Sequence, residues 1–408
     1  MQKSKIGLRI WLVIILVGLS GQLAWCLENM YFNVFLYNTI STDPVYISAM
    51  VSASAITATL TTLLMGALSD RIGKRKAFIC MGYILWGIST LAFGFITLEN
   101  VGKWFPMANA AVAGAILIVV MDCVMSFFGS AANDAAFNAY VTDNVSNENR
   151  GKTEGVLAIL PLVSMLLVFG LLDGFTQRGE WKTFFSIVGV FVSIVGFAAL
   201  FLVKDDPKLS PRRDEYFKNL VYGLRPGVMK SHGELYLALA AICIFSIAVQ
   251  TFFPYLIIYI QTYLGFNDYA IILGIVLIVA SVISVIGGRL MDKVGKLRFI
   301  VPAGCVMMGG YMLVSATLGA VIRDYTPRDK VGHFQGIRMI FSVMVPMVVG
   351  SNIGAAVIKG GDLTYVEMGV TKTVPTPAIF LASAAVLLIM FIPVAALKKR
   401  EKIQDAAE

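Results

Sequence analysis

Long apolar runs alternate with short polar ones along almost the whole chain. In the first half the apolar runs cover 10–37, 45–68, 77–98, 107–141, 154–175 and 181–203. A polar interval at 204–230 follows, and apolar runs resume at 234–264, 269–286, 299–322, 331–358 and 378–397. About 18 consecutive apolar residues suffice to cross the roughly 30 Å hydrocarbon core as a helix. No water reaches the backbone there, so each spanning segment must satisfy its own hydrogen bonds, as a helix does. The pattern predicts an all-α membrane protein with about 11 transmembrane segments.

Two polar loops share one pattern. Residues 66–76 read GALSDRIGKRK and residues 288–298 read GRLMDKVGKLR. Gly66, Asp70, Arg71, Gly73 and Lys74 stand at the same offsets as Gly288, Asp292, Lys293, Gly295 and Lys296. A second echo follows each loop. Asp143 precedes Gly151, Glu154 and Gly155 by the same intervals at which Asp324 precedes Gly332, Gln335 and Gly336. Self-similarity about half a chain apart is the mark of a duplicated unit. The expected organisation is an N-terminal six-helix bundle at 1–203, a cytoplasmic linker at 204–232 and a C-terminal bundle at 233–408.

Used as rulers, the echoes expose an asymmetry. Asp70 and Asp143 are 73 residues apart, whereas Asp292 and Asp324 are 32 apart, a shortfall of 41. The 24 residues at 299–322, at about 1.5 Å of rise each, cross a membrane once and not twice. Both flanks of that run are basic, which places both on the cytoplasmic side. The expectation is a second bundle that lacks parts of its third and fourth helices (helices 9 and 10 of a twelve-helix chain), fused near Cys305–Gly310.

Composition agrees with the pattern. The chain is 58% hydrophobic and 14% charged, against about 25% charged for a soluble domain. Its net charge of +8 comes from Lys and Arg in alternate loops, which indicates membrane orientation and not a nucleic-acid partner. The basic-rich segments (the N-terminus, 71–76, 150–152, 204–230, 289–298, 323–330 and the tail) put both termini in the cytoplasm of a multi-pass protein of the cell inner membrane. The five cysteines lie in or beside apolar runs without metal spacing, and the two histidines form no cluster. No nucleophile–base pair, metal constellation or phosphate loop stands out, so neither an enzyme, a cofactor protein nor a nucleotide-driven pump is expected.

A duplicated Gly-x-x-x-Asp-Arg/Lys-x-Gly-Lys loop, a central basic linker and twelve expected helices resemble the major facilitator superfamily. The resemblance implies two six-helix bundles that rock about a solute cavity at the membrane midplane, in a chain acting as a monomer. It also implies that Gly66, Asp70, Arg71, Gly73, Lys74 and Arg75 form part of a cytoplasmic gate. The matching gate set would include Asp143, Gly288, Asp292, Lys293, Gly295, Lys296 and Asp324. Within the superfamily, residues 133–155 (NDAAFNAYVTDNVSNENRGKTEG) resemble the helix 4–5 region of melibiose-permease-like glycoside–cation symporters. That likeness implies a cation-coupling and sugar-binding acid at Asp134. The helix-2 carboxylates of that group are missing here, since 51–65 offers only Ser and Thr as polar side chains, so a proton, or no coupling ion, suits better than sodium.

Ionisable groups at membrane depth are costly and mark a pathway. Glu28 lies in WCLENMYFNVFLY with Asn29 and Tyr31; carboxylate, amide and aromatic rings are the groups that bind sugar hydroxyls and ring faces. Asp122, Ser126, Gly129 and Asn133 share one helix face, while Ser130, Asp134 and Asn138 share the next. Asp173 is expected near the outer headgroups. In the second half Gln250 is the best cavity candidate. The candidate substrate set is therefore Glu28, Asn29, Tyr31, Asp122, Asn133, Asn138 and Gln250, with Asp134 and Glu28 coupling a cation. The expected activity is proton-coupled symport of a small polar solute, a sugar or glycoside. Two other readings stay open: an exporter of amphipathic compounds, and a non-transporting membrane protein with an incomplete second bundle.

Overall fold

The computed structural model describes residues 6–145, 149–205, 225–266, 268–276, 278–279, 314, 318–319, 321–322, 325–326, 336–367 and 370–405. Nine helices among the described residues are long and apolar enough to cross a membrane. They are α1 (Leu8–Thr39), α2 (Pro44–Ser69), α3 (Lys76–Phe93), α4 (Ala110–Asn144), α5 (Ile159–Gln177), α6 (Trp181–Leu202), α7 (Gly233–Thr262), α8 (Gly336–Lys359) and α9 (Ala378–Arg400). The predicted helix at 269–286 is described only in part. The run at 299–322, the second motif loop and the site of the 41-residue shortfall lie almost wholly outside the described residues.

Local chemistry sets the helix ends. Asp43 accepts from the Val45 amide at 3.0 Å and Pro44 takes the first helical position, which fixes the start of α2. Its helical turns run on to Ile72, where Gly73 stops them at φ 68°, a left-handed conformation open to Gly at little cost. Asn109 starts α4 by accepting from the amides of Ala111 and Val112. The apolar run predicted at 77–98 is interrupted, since α3 ends at Phe93 and Thr97 caps a separate short helix, Leu98–Trp104. In the loop after α8, strands β1 (Thr364–Glu367) and β2 (Val370–Thr373) pair into a two-stranded sheet. The last helical segment, Phe391–Asp405, runs past the end of the predicted apolar stretch.

The chain divides into two compact units, 1–214 with 366–372, and 215–365 with 373–408. In the first, α1 packs on α5 and α6, α2 on α4, and α3 on α4 and α6. One end of its core is aromatic: Phe32 stacks on Phe93 at 4.1 Å, and Phe35, Trp181, Phe184 and Phe185 close around them. Rings at these separations each add about 0.5–1.5 kcal/mol beyond area burial. The opposite face of α6 carries Val190, Ile194, Phe197 and Phe201, all exposed, as a lipid-facing stripe. In the second unit α7 packs on α8 and α9 around Leu235, Leu239, Ile242 and Phe245. A Cβ at Gly354 would collide with the Thr251 carbonyl, so the absent side chain permits the α7–α8 approach.

Candidate functional site

Three membrane-depth acids of the first unit gather where α1, α2 and α4 meet. Glu28 and Asp122 are buried at 6% and 1% exposure. Transfer of one such group to the bilayer centre costs about 2.5–3.5 kcal/mol, so three on facing helices need polar company. Ser126 supplies part of it, donating to Glu28 Oε1 at 2.9 Å, and Ser54 of α2 lies beside both carboxyls. Glu28 sits in a five-residue π-helical turn of α1, Leu27–Tyr31. Such turns insert an extra residue into the helical register and recur at functional positions.

Asp134 lies in a longer π-helical stretch of α4, Ser130–Phe137. Ser130 donates to Asp134 Oδ2 at 3.1 Å and the Asn133 amide to Oδ1 at 3.3 Å. The Tyr83 hydroxyl of α3 lies 2.9 Å from both Asn133 Oδ1 and the Val17 carbonyl oxygen. With a single proton, that hydroxyl donates to one of them at a time. A hydrogen-bonded chain thus runs Tyr83–Asn133–Asp134–Ser130 across two helices. The backbone of α1 comes close to it: a Cβ at Gly21 would stand 2.7 Å from both Asn133 Oδ1 and the Tyr83 hydroxyl. Trp25 and Trp86, centroids 4.9 Å apart, cover Gly129 beside this chain.

The other predicted substrate residues are placed less uniformly. Asn29 spends its amide on the Trp25 carbonyl of its own helix at 2.8 Å. Asn138 is exposed and donates to the Asp134 carbonyl at 3.1 Å. Tyr31 donates to Asp173 Oδ1 at 2.8 Å, joining α1 to α5. Asp173, four residues before the end of α5, is buried at 2% exposure. Thr176 and Gln177 also donate to its carboxylate, and those donors offset the desolvation that the sequence pattern alone foresaw no means of meeting. Gln250 belongs to the second unit, on α7, where a Cβ at Gly350 would come within 2.7 Å of its own Cβ.

At the other end of the first unit, the duplicated-loop residues divide into exposed and buried sets. Arg71 and Lys74 are exposed, whereas Arg75 is 4% exposed. Its Nε donates to Asp143 Oδ2 at 3.1 Å and its guanidinium reaches Ser69 Oγ at 2.5 Å. Ser69 in turn donates to the Gly66 carbonyl at 3.0 Å. The loop also has a partner that its motif did not reveal. Asp205, just beyond α6, accepts from the amides of Arg75 and Lys76 at 2.7 and 2.9 Å, capping α3 from outside its own segment. The side chain of Asp70, together with Gly288, Asp292, Lys293, Gly295, Lys296 and Asp324, lies outside the described residues. No metal-ligating group of three His, Cys, Asp or Glu occurs among the described residues.

Tyr83, Ser54 and Asp205 carry no mark in the sequence that would single them out. Tyr and Ser inside apolar helices are ordinary, and their roles depend on which helices pack together. Asp205 is one polar residue in a long polar interval.

A family model, described as Major Facilitator Superfamily, matches residues 10–319. No curated protein sequence matches the chain. Among solved structures, a mutant form of the nucleoside transporter NupG superimposes with a TM-score of 0.68 at 13% identity, over 96% of this chain and 100% of NupG. A D-xylose–proton symporter does so with a TM-score of 0.62 at 14% identity, over 94% and 97% of the two chains. The xylose transporter XylE from E. coli, in an inward-open conformation, reaches 0.60 at 13% identity, over 93% and 94%. At these identities the likeness is one of fold, and it agrees with the family model. The chain belongs to the Major Facilitator Superfamily.

Proposed function

We propose that the chain is a secondary transporter that moves a small polar solute, a sugar or glycoside, together with a proton by alternating access. The observation that carries this reading is the Tyr83–Asn133–Asp134–Ser130 chain in the π-helical stretch of α4. An acid held by neutral hydroxyl and amide donors, and only partly buried, can exchange a proton and accept solute hydroxyls without a metal. Glu28 and Asn29 on α1 extend the same polar surface, and Asp134 and Glu28 carry the ion. The superfamily fold, which a D-xylose–proton symporter also uses, suits the reading. Arg75, Asp143 and Asp205 belong on this view to the cytoplasmic gate, together with the duplicated loops.

Replacing Asp134 by Asn tests it. In proteoliposomes with an imposed proton gradient, the variant should lose accumulation of labelled sugars against a gradient while keeping exchange of sugar for sugar. Undiminished accumulation by Asp134→Asn would remove Asp134 from the coupling role.

A further inference from the structure

Asp173 is a buried acid that the transport reading leaves unused. It accepts from the Tyr31 hydroxyl at 2.8 Å, from Gln177 at 2.6 Å and from Thr176 at 3.3 Å, three neutral donors. Gln177 and Thr176 lie on its own helix, whereas Tyr31 reaches it from α1. Tyr31 is itself fully buried, its ring 5.0 Å from Phe184 of α6 and 6.2 Å from Phe169 of α5. Both ends of this link border π-helical turns. Tyr31 is the last residue of Leu27–Tyr31, and Asp173 directly follows Val168–Leu172, which contains Phe169.

The turn in α1 lies between two stretches with different neighbours. On one side Gly21 passes close to Tyr83 and Asn133, and Trp25 packs on Trp86. On the other, Phe32 stacks on Phe93, and Phe35 packs on Trp181 and Phe185. A π-turn adds one residue to the helical register, which lets both stretches seat at once. Side chains support it: Asn29 donates to the Trp25 carbonyl at 2.8 Å and Asn33 to the Asn29 carbonyl at 3.0 Å. Such bonds compete with the regular helical ladder. Glu28 lies inside the turn, and its contact with Ser126 at 2.9 Å belongs to that register. At 3.6 residues per turn, losing the extra residue would swing Glu28 by about 100° relative to one of the seated ends. We propose that Asp173 is a positioning residue for Glu28: by holding the Tyr31 hydroxyl it fixes the π-helical turn of α1 in the register where Glu28 meets Ser126. Its consequence for transport rests on the transport reading, which puts Glu28 on the solute surface; the clamp itself does not.

A double-mutant cycle read by thermal unfolding of the purified full chain in detergent tests the clamp. Ser126→Ala takes the donor from Glu28 and should lower the wild-type Tm by about 2–4 °C. In a Tyr31→Phe chain, which keeps the ring and loses only the hydroxyl, the same change should cost less than half as much, because Glu28 no longer sits at Ser126. Asp173→Asn retains an oxygen that accepts from Tyr31 and should preserve the full Ser126→Ala shift. Asp173→Leu should reduce it as Tyr31→Phe does. Equal Ser126→Ala shifts in every background would overturn the proposal and leave Asp173 a plain tie between helices. Hydrogen exchange gives a second reading in the mild variant alone. Tyr31→Phe should speed exchange of the amides at 27–32 by about tenfold or more, and unchanged exchange there contradicts the clamp. In proteoliposomes, Tyr31→Phe should raise KM severalfold for a labelled mono- or disaccharide that wild type exchanges, with the maximal rate near that of wild type. A KM equal to that of wild type would remove the link to the solute surface. If wild type exchanges none of them, the transport reading fails and the Tm cycle still decides the clamp.

Discussion

At the scale of single residues, several buried charges of the first unit meet a partner from another helix, as Glu28 meets Ser126 and Asp173 meets Tyr31. Arg75 and Asp143 show what that pairing is worth. Arg75 holds Asp143 as well as Ser69 Oγ, so removing Arg75 takes a charged donor from the partly buried Asp143 carboxylate. A double-mutant cycle with Arg75→Ala and Asp143→Ala should return a coupling of about 1–2 kcal/mol in chemical unfolding. Additive effects would mean that the pair contributes little. Gly21 makes a steric prediction at the same scale. Gly21→Ala puts a methyl group 2.7 Å from Asn133 Oδ1 and the Tyr83 hydroxyl, and should cost about 1–3 kcal/mol with a matching fall in Tm. An unchanged Tm would show that Tyr83 and Asn133 move aside freely. Glu28, Asp122 and Asp134 were legible in the sequence because a carboxylate in an apolar run has no cheap explanation. Tyr83 and Ser54 were not, because a Tyr or Ser in a membrane helix has several.

Elements show the same division. Apolar length alone places the helices of the first unit, since burial of the backbone in lipid leaves little choice of structure. It does not place the π-helical turns at Leu27–Tyr31, Ser130–Phe137 and Val168–Leu172, which depend on tertiary packing. These turns hold Glu28, contain Asp134 and precede Asp173, so the register of each acid differs from that of an uninterrupted helix. The polar face expected on α4 is real at Ser126, whose partner is Glu28. A regular helix does not foresee the turn that lets Asn133 and Asp134, neighbours in the chain, share a hydrogen bond. Helix ends divide likewise: Asp43–Pro44 and Asn109 are local caps readable from sequence, whereas Asp205 caps α3 from 130 residues away. Asp205→Ala should destabilise the first unit by about 0.5–2 kcal/mol, as loss of a helix cap does. A variant as stable as wild type would show that solvent replaces the cap.

At the scale of the whole molecule, the duplicated loops lead us to expect a two-fold plan, and their spacing differs by 41 residues between the halves. The family model and the shared fold support the plan. The 41-residue shortfall between the repeats falls outside the described residues, and its consequence is a matter for transport rates. A chain rebuilt with a segment of that length near Cys305–Gly310 should move solute faster than the chain as it stands. Equal rates would contradict the expectation that the second bundle lacks part of a helix pair. The most direct test of the transport mechanism is at the coupling acid. Wild-type chain and Asp134→Asn, reconstituted side by side, would be given a panel of labelled mono- and disaccharides under an inward proton gradient. Accumulation by wild type, with exchange alone in Asp134→Asn, is the predicted result. Gradient-independent behaviour in wild type, or equal accumulation in both, would contradict it.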